Sequence, residues 1–121
     1  CMALRFRGHT HVKVKVGRPD DAERLRAIAK VMGAAVPLRL DANATWSVDE
    51  AVERLRAFEG VPIASIEQPV DPRDLAGMRV VHEATGIAVM ADEAVCSTAD
   101  AEAIIAAQAA QIFNVRPGKH G

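Results

Sequence analysis

Residues 38–60, LRLDANATWSVDEAVERLRAFEG, contain one complete structural unit, and its reading decides the fold. Leu38–Ala42 is a short run with strand character, and Val48–Phe58 is a longer, charge-rich run with helical spacing. Between them, Ser47-Val-Asp-Glu50 forms a capping box: the Ser oxygen accepts from free N–H groups and the Glu reaches back. Gly60 stands where a left-handed residue stops a helix. The unit is therefore strand, loop, helix, stop.

The same unit recurs on both sides. Further strands are expected at His11–Val16, Ala64–Glu67, Ile87–Ala91 and Gln111–Val115, and further helices near Asp20–Met32, Arg73–Thr85 and Ala99–Ala109. Asp71 followed by Pro72 suits an N-cap and first helical position. Gly33, Gly60 and Gly86 act as helix stops with a period of about 26 residues. Strands alternating with helices imply a parallel sheet with helical crossovers, either a doubly wound sheet or a (β/α)8 barrel. Length alone does not choose: a whole barrel takes about 250 residues, and this chain has 121.

The strand ends make the choice. Ligands of parallel sheets sit at the carboxyl ends of the strands. The last inward residues there are Lys15, Asp41, Glu67, Asp92 and Arg116, one charged group per unit at nearly constant phase. A closed barrel brings successive strand ends to one mouth, whereas an open sheet spreads them along an edge. A partial (β/α)8 barrel, forming one segment over residues 1–121, is the fold expected.

Asp41, Glu67 and Asp92 are three carboxylates in succession. Close carboxylates repel and are costly to desolvate, and a hard divalent cation removes both problems. All-oxygen ligands without Cys or His suit Mg²⁺. Lys13 and Lys15 share a strand face, with Val12, Val14 and Val16 on the other. Two adjacent ammonium groups are expected to depress each other's pKa and so favour a basic role. Asn43 shares the face of Asp41 and is placed to hydrogen-bond a metal water or substrate oxygen. Glu93, of opposite parity to Asp92, is expected to support the ligands without binding the metal itself.

Composition excludes other classes. Half the chain is apolar, and only 3% is aromatic, so the core must be aliphatic. A formal net charge of −1 leaves no electrostatic footprint for nucleic acid. No apolar run is long enough to span a membrane, and none has the form of a signal peptide. The Asn43-Ala-Thr45 sequon is accordingly read as coincidence. Cys1 and Cys96 form neither a disulfide framework nor a CxxC pair, which gives the expectation of a reducing, cytoplasmic setting. Cys96 is expected to be a small buried residue, His82 a surface residue, His120 a solvated loop residue, and Trp46 a packing residue where the helix after Asn43 begins.

Taken together, Val12-Lys-Val-Lys-Val-Gly17, Leu40-Asp-Ala-Asn-Ala-Thr-Trp46, Ile66-Glu-Gln-Pro69, Ala91-Asp-Glu93 and Asn114-Val-Arg-Pro-Gly-Lys-His-Gly121 resemble the enolase superfamily, in its muconate-lactonizing subgroup. The resemblance covers essentially the whole chain. It implies Mg²⁺ on Asp41, Glu67 and Asp92, and a small-molecule carboxylate substrate. Lys15 would abstract the α-proton to give an enediolate, with Lys13 beside it. It also implies that the strands here are the second to sixth of the barrel, that the capping domain lies elsewhere in a longer chain, and that the enzyme is a homo-oligomer.

One departure bears on chemistry. Where the family usually has a catalytic lysine this chain has Arg116, which is too basic to act as a base. Lys119 is near but of opposite parity. The expected reaction is therefore one-base elimination or cycloisomerisation, with amino acid or dipeptide racemisation as the alternative. A non-catalytic truncated barrel scaffold and a phosphate-binding barrel enzyme are the competing classes.

Overall fold

In the computed structural model, residues 10–33, 35–116 and 118 are described. Among these residues, five strands alternate with four helices: β1 (Val12–Lys15), α1 (Asp21–Met32), β2 (Leu38–Asp41), α2 (Val48–Ala57), β3 (Ile63–Glu67), α3 (Leu75–Thr85), β4 (Ala88–Ala91), α4 (Thr98–Ala106) and β5 (Ile112–Phe113). All pairings are parallel, and the strands lie in sequence order, β1-β2-β3-β4-β5. A doubly wound sheet reverses its order at a switch point. Here each strand pairs with the next, as in the wall of a barrel.

The core lies on one face of this wall. Val12, Val14, Val16, Leu38, Leu40, Ile66 and Val89 pack with Leu25, Ala51, Leu55, Met78, Val81 and Ile104 from the helices. The alternation in β1 thus holds, with valines against the helices and lysines on the opposite face. Trp46 is buried in the same cluster with the Arg54 guanidinium over its ring. The α2–α3 packing is close enough at Gly77 that a Cβ there would lie 2.6 Å from Val48 Cγ2.

Several local expectations are corrected. The α3 cap is Asp74, whose carboxylate accepts from Gly77 N at 2.8 Å, while Asp71 is occupied with Arg73. Ser47 caps α2 as expected, but Glu50 binds Arg54 at 2.8 Å. All three stop glycines have positive φ, yet Gly33 combines φ 90° with ψ 152°, outside the left-handed helical region; Gly86 lies within it. Helix α4 is capped by Ser97 and ends at Ala106, with Gln108 at φ 52° turning the chain. Strand β5 has only two residues, and Val115 is exposed. His82 is partly buried, and its Nδ1 lies 2.9 Å from the carbonyl oxygen of Ile87.

Candidate active site

The strand register builds the mouth. Lys15, Asp41, Glu67 and Met90 are partners across β1 to β4, and Met90 is partnered by Ile112. One layer below, Lys13 is level with Arg39, and Arg39 with Ser65. Because side chains alternate, all these residues share the face turned away from the helices. Asp92 follows two residues after Met90 and therefore has the same parity.

Loops hold the acids in place. After Asp41 the chain turns through Asn43 and Ala44, both at positive φ. This aims Asn43 N at Asp41 Oδ1, 3.1 Å away. Ala44 N donates to Gln68 O and Trp46 N to Pro69 O, which stitches this loop to the next strand end. Asn43 thus meets Asp41 through its backbone, and its side chain is exposed.

Gln68, which sequence reasoning left without a role, fixes Asp92. It is fully buried with φ 38°. Its Oε1 accepts from Asp92 N at 3.2 Å and Ala94 N at 3.1 Å, and its Nε2 donates to Val70 O at 3.1 Å. A buried side-chain amide needs such partners, and here they shape the loop that carries Asp92.

Asp41, Glu67 and Asp92 are each at most 3% exposed. Lys13 Nζ lies 2.9 Å from Asp41 Oδ2 and 2.8 Å from Glu67 Oε2, bridging the two. Asn114 Nδ2 donates to Glu67 Oε1 at 3.0 Å. Arg39 approaches Glu67 Oε2 to 3.7 Å from below and donates to Met90 Sδ. Arg116 pairs with Asp92 Oδ2 and comes within 4.0 Å of Glu67 Oε1. Asn114 and Arg39 were both missed in the sequence. Each sits two residues from a recognised site residue on the same strand face, and that parity was the available signal.

The expected depression of the Lys13 pKa is corrected. Burial works to lower it, but hydrogen bonds and charge from Glu67 and Asp41 outweigh burial, so it lies above the ordinary lysine value. The carboxylates win because two of them lie within 2.9 Å of an ammonium group that is only partly withdrawn from water. Lys15 is exposed, level with Asp41.

The donor set fits a hard divalent cation in its chemistry: three buried carboxylates, with Asp92 Oδ1 buried and without a hydrogen-bond partner among the described residues. The structure brings these acids together through cations. Among the described residues, no three acidic, His or Cys side chains are gathered closely enough to enclose a metal. Lys13 and Arg116 supply the counter-charge instead.

Other candidates lie elsewhere. Glu93 faces a groove of about 410 Å³ shared with Arg73, Leu75, Cys96 and Ile104, on the helix side of Asp92. Cys96 is exposed, contrary to expectation, because it lies in the loop before α4 with its N–H held by Asp100. Lys119 and His120 lie outside the described residues. Among the described residues, no helix is long and apolar enough to cross a membrane.

The sequential parallel wall, with buried acids at successive strand ends and lysines beside them on the same face, is a segment of an α/β barrel, a fold that places ligands at the strands' carboxyl ends. Residues 2–121 match the family described as Enolase C-terminal domain-like, and the chain belongs to that family. It is 40% identical over 119 residues to the L-Ala-D/L-Glu epimerase of Bacillus subtilis (strain 168), covering 94% of this chain and 32% of the relative. It is 33% identical to a muconate cycloisomerase of Acinetobacter lwoffii, covering 93% of this chain and 30% of that relative. A crystal structure of the Cytophaga hutchinsonii dipeptide epimerase, complexed with Mg and the dipeptide D-Ala-L-Val, superposes with a TM-score of 0.85. Identity to it is 37%, over 93% of this chain and 31% of that one. The chain spans about a third of the length of the curated relatives it matches. Magnesium is the metal held by solved relatives.

Proposed function

We propose that this chain carries the metal-binding and proton-abstracting part of an enzyme that removes a proton α to the carboxylate of a small-molecule substrate. Asp41, Glu67 and Asp92 would hold Mg²⁺. The chemistry supplied by a bound Mg²⁺ is Lewis-acid stabilisation of negative charge next to a carboxylate. Lys15 takes the proton at its Nζ. The observation that carries this reading is the register that sets Lys15, Asp41 and Glu67 side by side on one face.

Around that step the other residues position and balance. Lys13, one layer below, bridges Asp41 and Glu67 and holds them in place. Arg116 supplies a fixed positive charge across the mouth. Arginine is by its chemistry a poor choice for a second base. This favours a one-base outcome, elimination or cycloisomerisation. Epimerisation of a dipeptide is the second reading, favoured by the relatives named as dipeptide epimerases. It needs a base on each face of the α-carbon, and the second would have to be Lys119.

Deuterium exchange at the α-carbon tests the proposal, in the full-length protein with a carboxylate substrate found by screening. Lys15→Ala is expected to abolish exchange and Arg116→Lys to retain much of it. Persistence of full exchange in Lys15→Ala rules out the assigned base. Rapid exchange from both enantiomers, lost for one of them in Lys119→Met, decides for the epimerase. Equal exchange from both that vanishes in Arg116→Met makes Arg116 a working base and overturns the one-base preference.

A further inference from the structure

We propose that Arg116 is a built-in rival of the divalent cation: it neutralises Asp92 in the metal-free protein and must yield that carboxylate when the metal binds. The inference rests on the metal-site reading above. The Asp92 side chain is 2% exposed, whereas that of Arg116 is 52% exposed. A carboxylate buried to that degree needs a counter-charge. Among the described residues, Arg116 is the cation within ion-pair distance of it. By contrast, Asp41 and Glu67 share Lys13 from below, out of the path of an incoming ligand.

The two cations therefore differ in what metal binding asks of them. Lys13 is anchored between two acids in the layer beneath. Arg116 approaches from the strand end, on the open side, and reaches Glu67 as well at 4.0 Å. It lies across the two carboxylates that a metal would draw together. Arginine side chains as a class remain cationic, so the competition is one of position. Arg116 can only move, and its half-exposed side chain has solvent to move into. Once displaced, its charge becomes available to an anionic substrate at the mouth. Metal binding would thus set up substrate binding.

Removing the rival should tighten metal binding, because competition and charge repulsion act in the same direction. The test is calorimetric titration of the full-length protein with Mg²⁺ and Mn²⁺. The variants are Arg116→Gln, Arg116→Lys and, as a remote control for charge, Arg73→Gln. Arg116→Gln is expected to bind at least about fivefold more tightly, the lower end of ordinary site-to-site coupling, with Arg116→Lys within about twofold of wild type. Arg73→Gln should not change affinity. The metal-induced rise in Tm should be larger in Arg116→Gln, since its metal-free state has lost the counter-ion of Asp92. In the wild type, the Arg116 Nε–H resonance should shift during the titration, which tests the idea even if the glutamine variant folds poorly. Unchanged or weaker affinity in Arg116→Gln, equal tightening in Arg73→Gln, or a static Arg116 resonance overturns the competition and leaves the metal site standing. Absence of divalent binding in every variant overturns the metal reading itself, and this inference with it.

Discussion

On the helix-facing side of the sheet, Leu38, Leu40, Ile66 and Val89 are fully buried, and all are aliphatic. On the other side of the same strands lie Lys13, Arg39, Asp41, Ser65 and Glu67, which are joined or flanked by ion pairs and hydrogen bonds. One residue of shift along a strand converts one environment into the other. The aliphatic face gains from leaving water; the charged face pays a desolvation cost that its ion pairs only offset. Stability should therefore reside on the first face and chemical capability on the second.

The largest effect expected from breaking this division comes from the aliphatic face. Ile66→Ala removes a fully buried side chain between β3 and the helices and should cost about 2–5 kcal/mol, as large-to-small core changes do. The loss should be global: chemical denaturation should show a lower midpoint with unchanged slope, and amide exchange should accelerate throughout the sheet. A cost below about 1 kcal/mol, the scale of ordinary surface substitutions, would show that the helix-facing layer does not carry the fold.

Gln68→Leu should have a smaller, more local effect. The side chain keeps its burial but loses its bonds to Asp92 N, Ala94 N and Val70 O. Leaving such groups unpaired costs about 1–3 kcal/mol. Amide exchange should accelerate at Asp92 and Ala94 well before it does in β2 and β3. Uniform acceleration would mean that Gln68 serves the core and not the loop that carries Asp92.

The difference between the two faces also explains what could be read from the sequence. The helix-facing layer was legible because period-2 and period-3.6 patterns each bury one stripe, and β1 shows this in Val12, Val14 and Val16. The position of Lys15, Asp41, Glu67 and Asp92 at the strand ends followed from the same parity. The pairing within the mouth did not follow. That Lys13 bridges two acids, or that Gln68 reaches Asp92 from 24 residues away, depends on distances across strands. Local signals also competed. Asp71-Pro72 and Asp74 can each open a helix, and Asp74 wins because Asp71 is engaged with Arg73. The exposure of Cys96 follows from its place in the loop before α4, where Asp100 holds its N–H.

The smallest expected effect lies on the outer surface, where ion pairs stand in water instead of in the mouth. Asp71 accepts from the Arg73 side chain at 3.0–3.1 Å and from the Arg73 backbone N–H at 2.8 Å. The Arg73 side chain, then its backbone N–H, hold the Asp71 carboxyl down to about 2 against a usual 3.8. A depressed folded-state pKa means the pair stabilises the fold above the unfolded pKa, near 3.8. That contribution should disappear as pH falls through about 2. Because the pair is exposed, solvent and salt screen it, and its effect on stability should be near the limit of detection. The carboxyl carbon shift of Asp71, followed by NMR, is the better measurement. Its midpoint should lie near 2 in the wild type and return towards the ordinary aspartate range in Arg73→Gln, with part of the shift lost in high salt. A wild-type midpoint already in the ordinary range would show that Arg73 does not hold Asp71 in solution. The contrast between exposed pairs and those of the mouth would then be sharper still, since only the buried pairs would keep their partners.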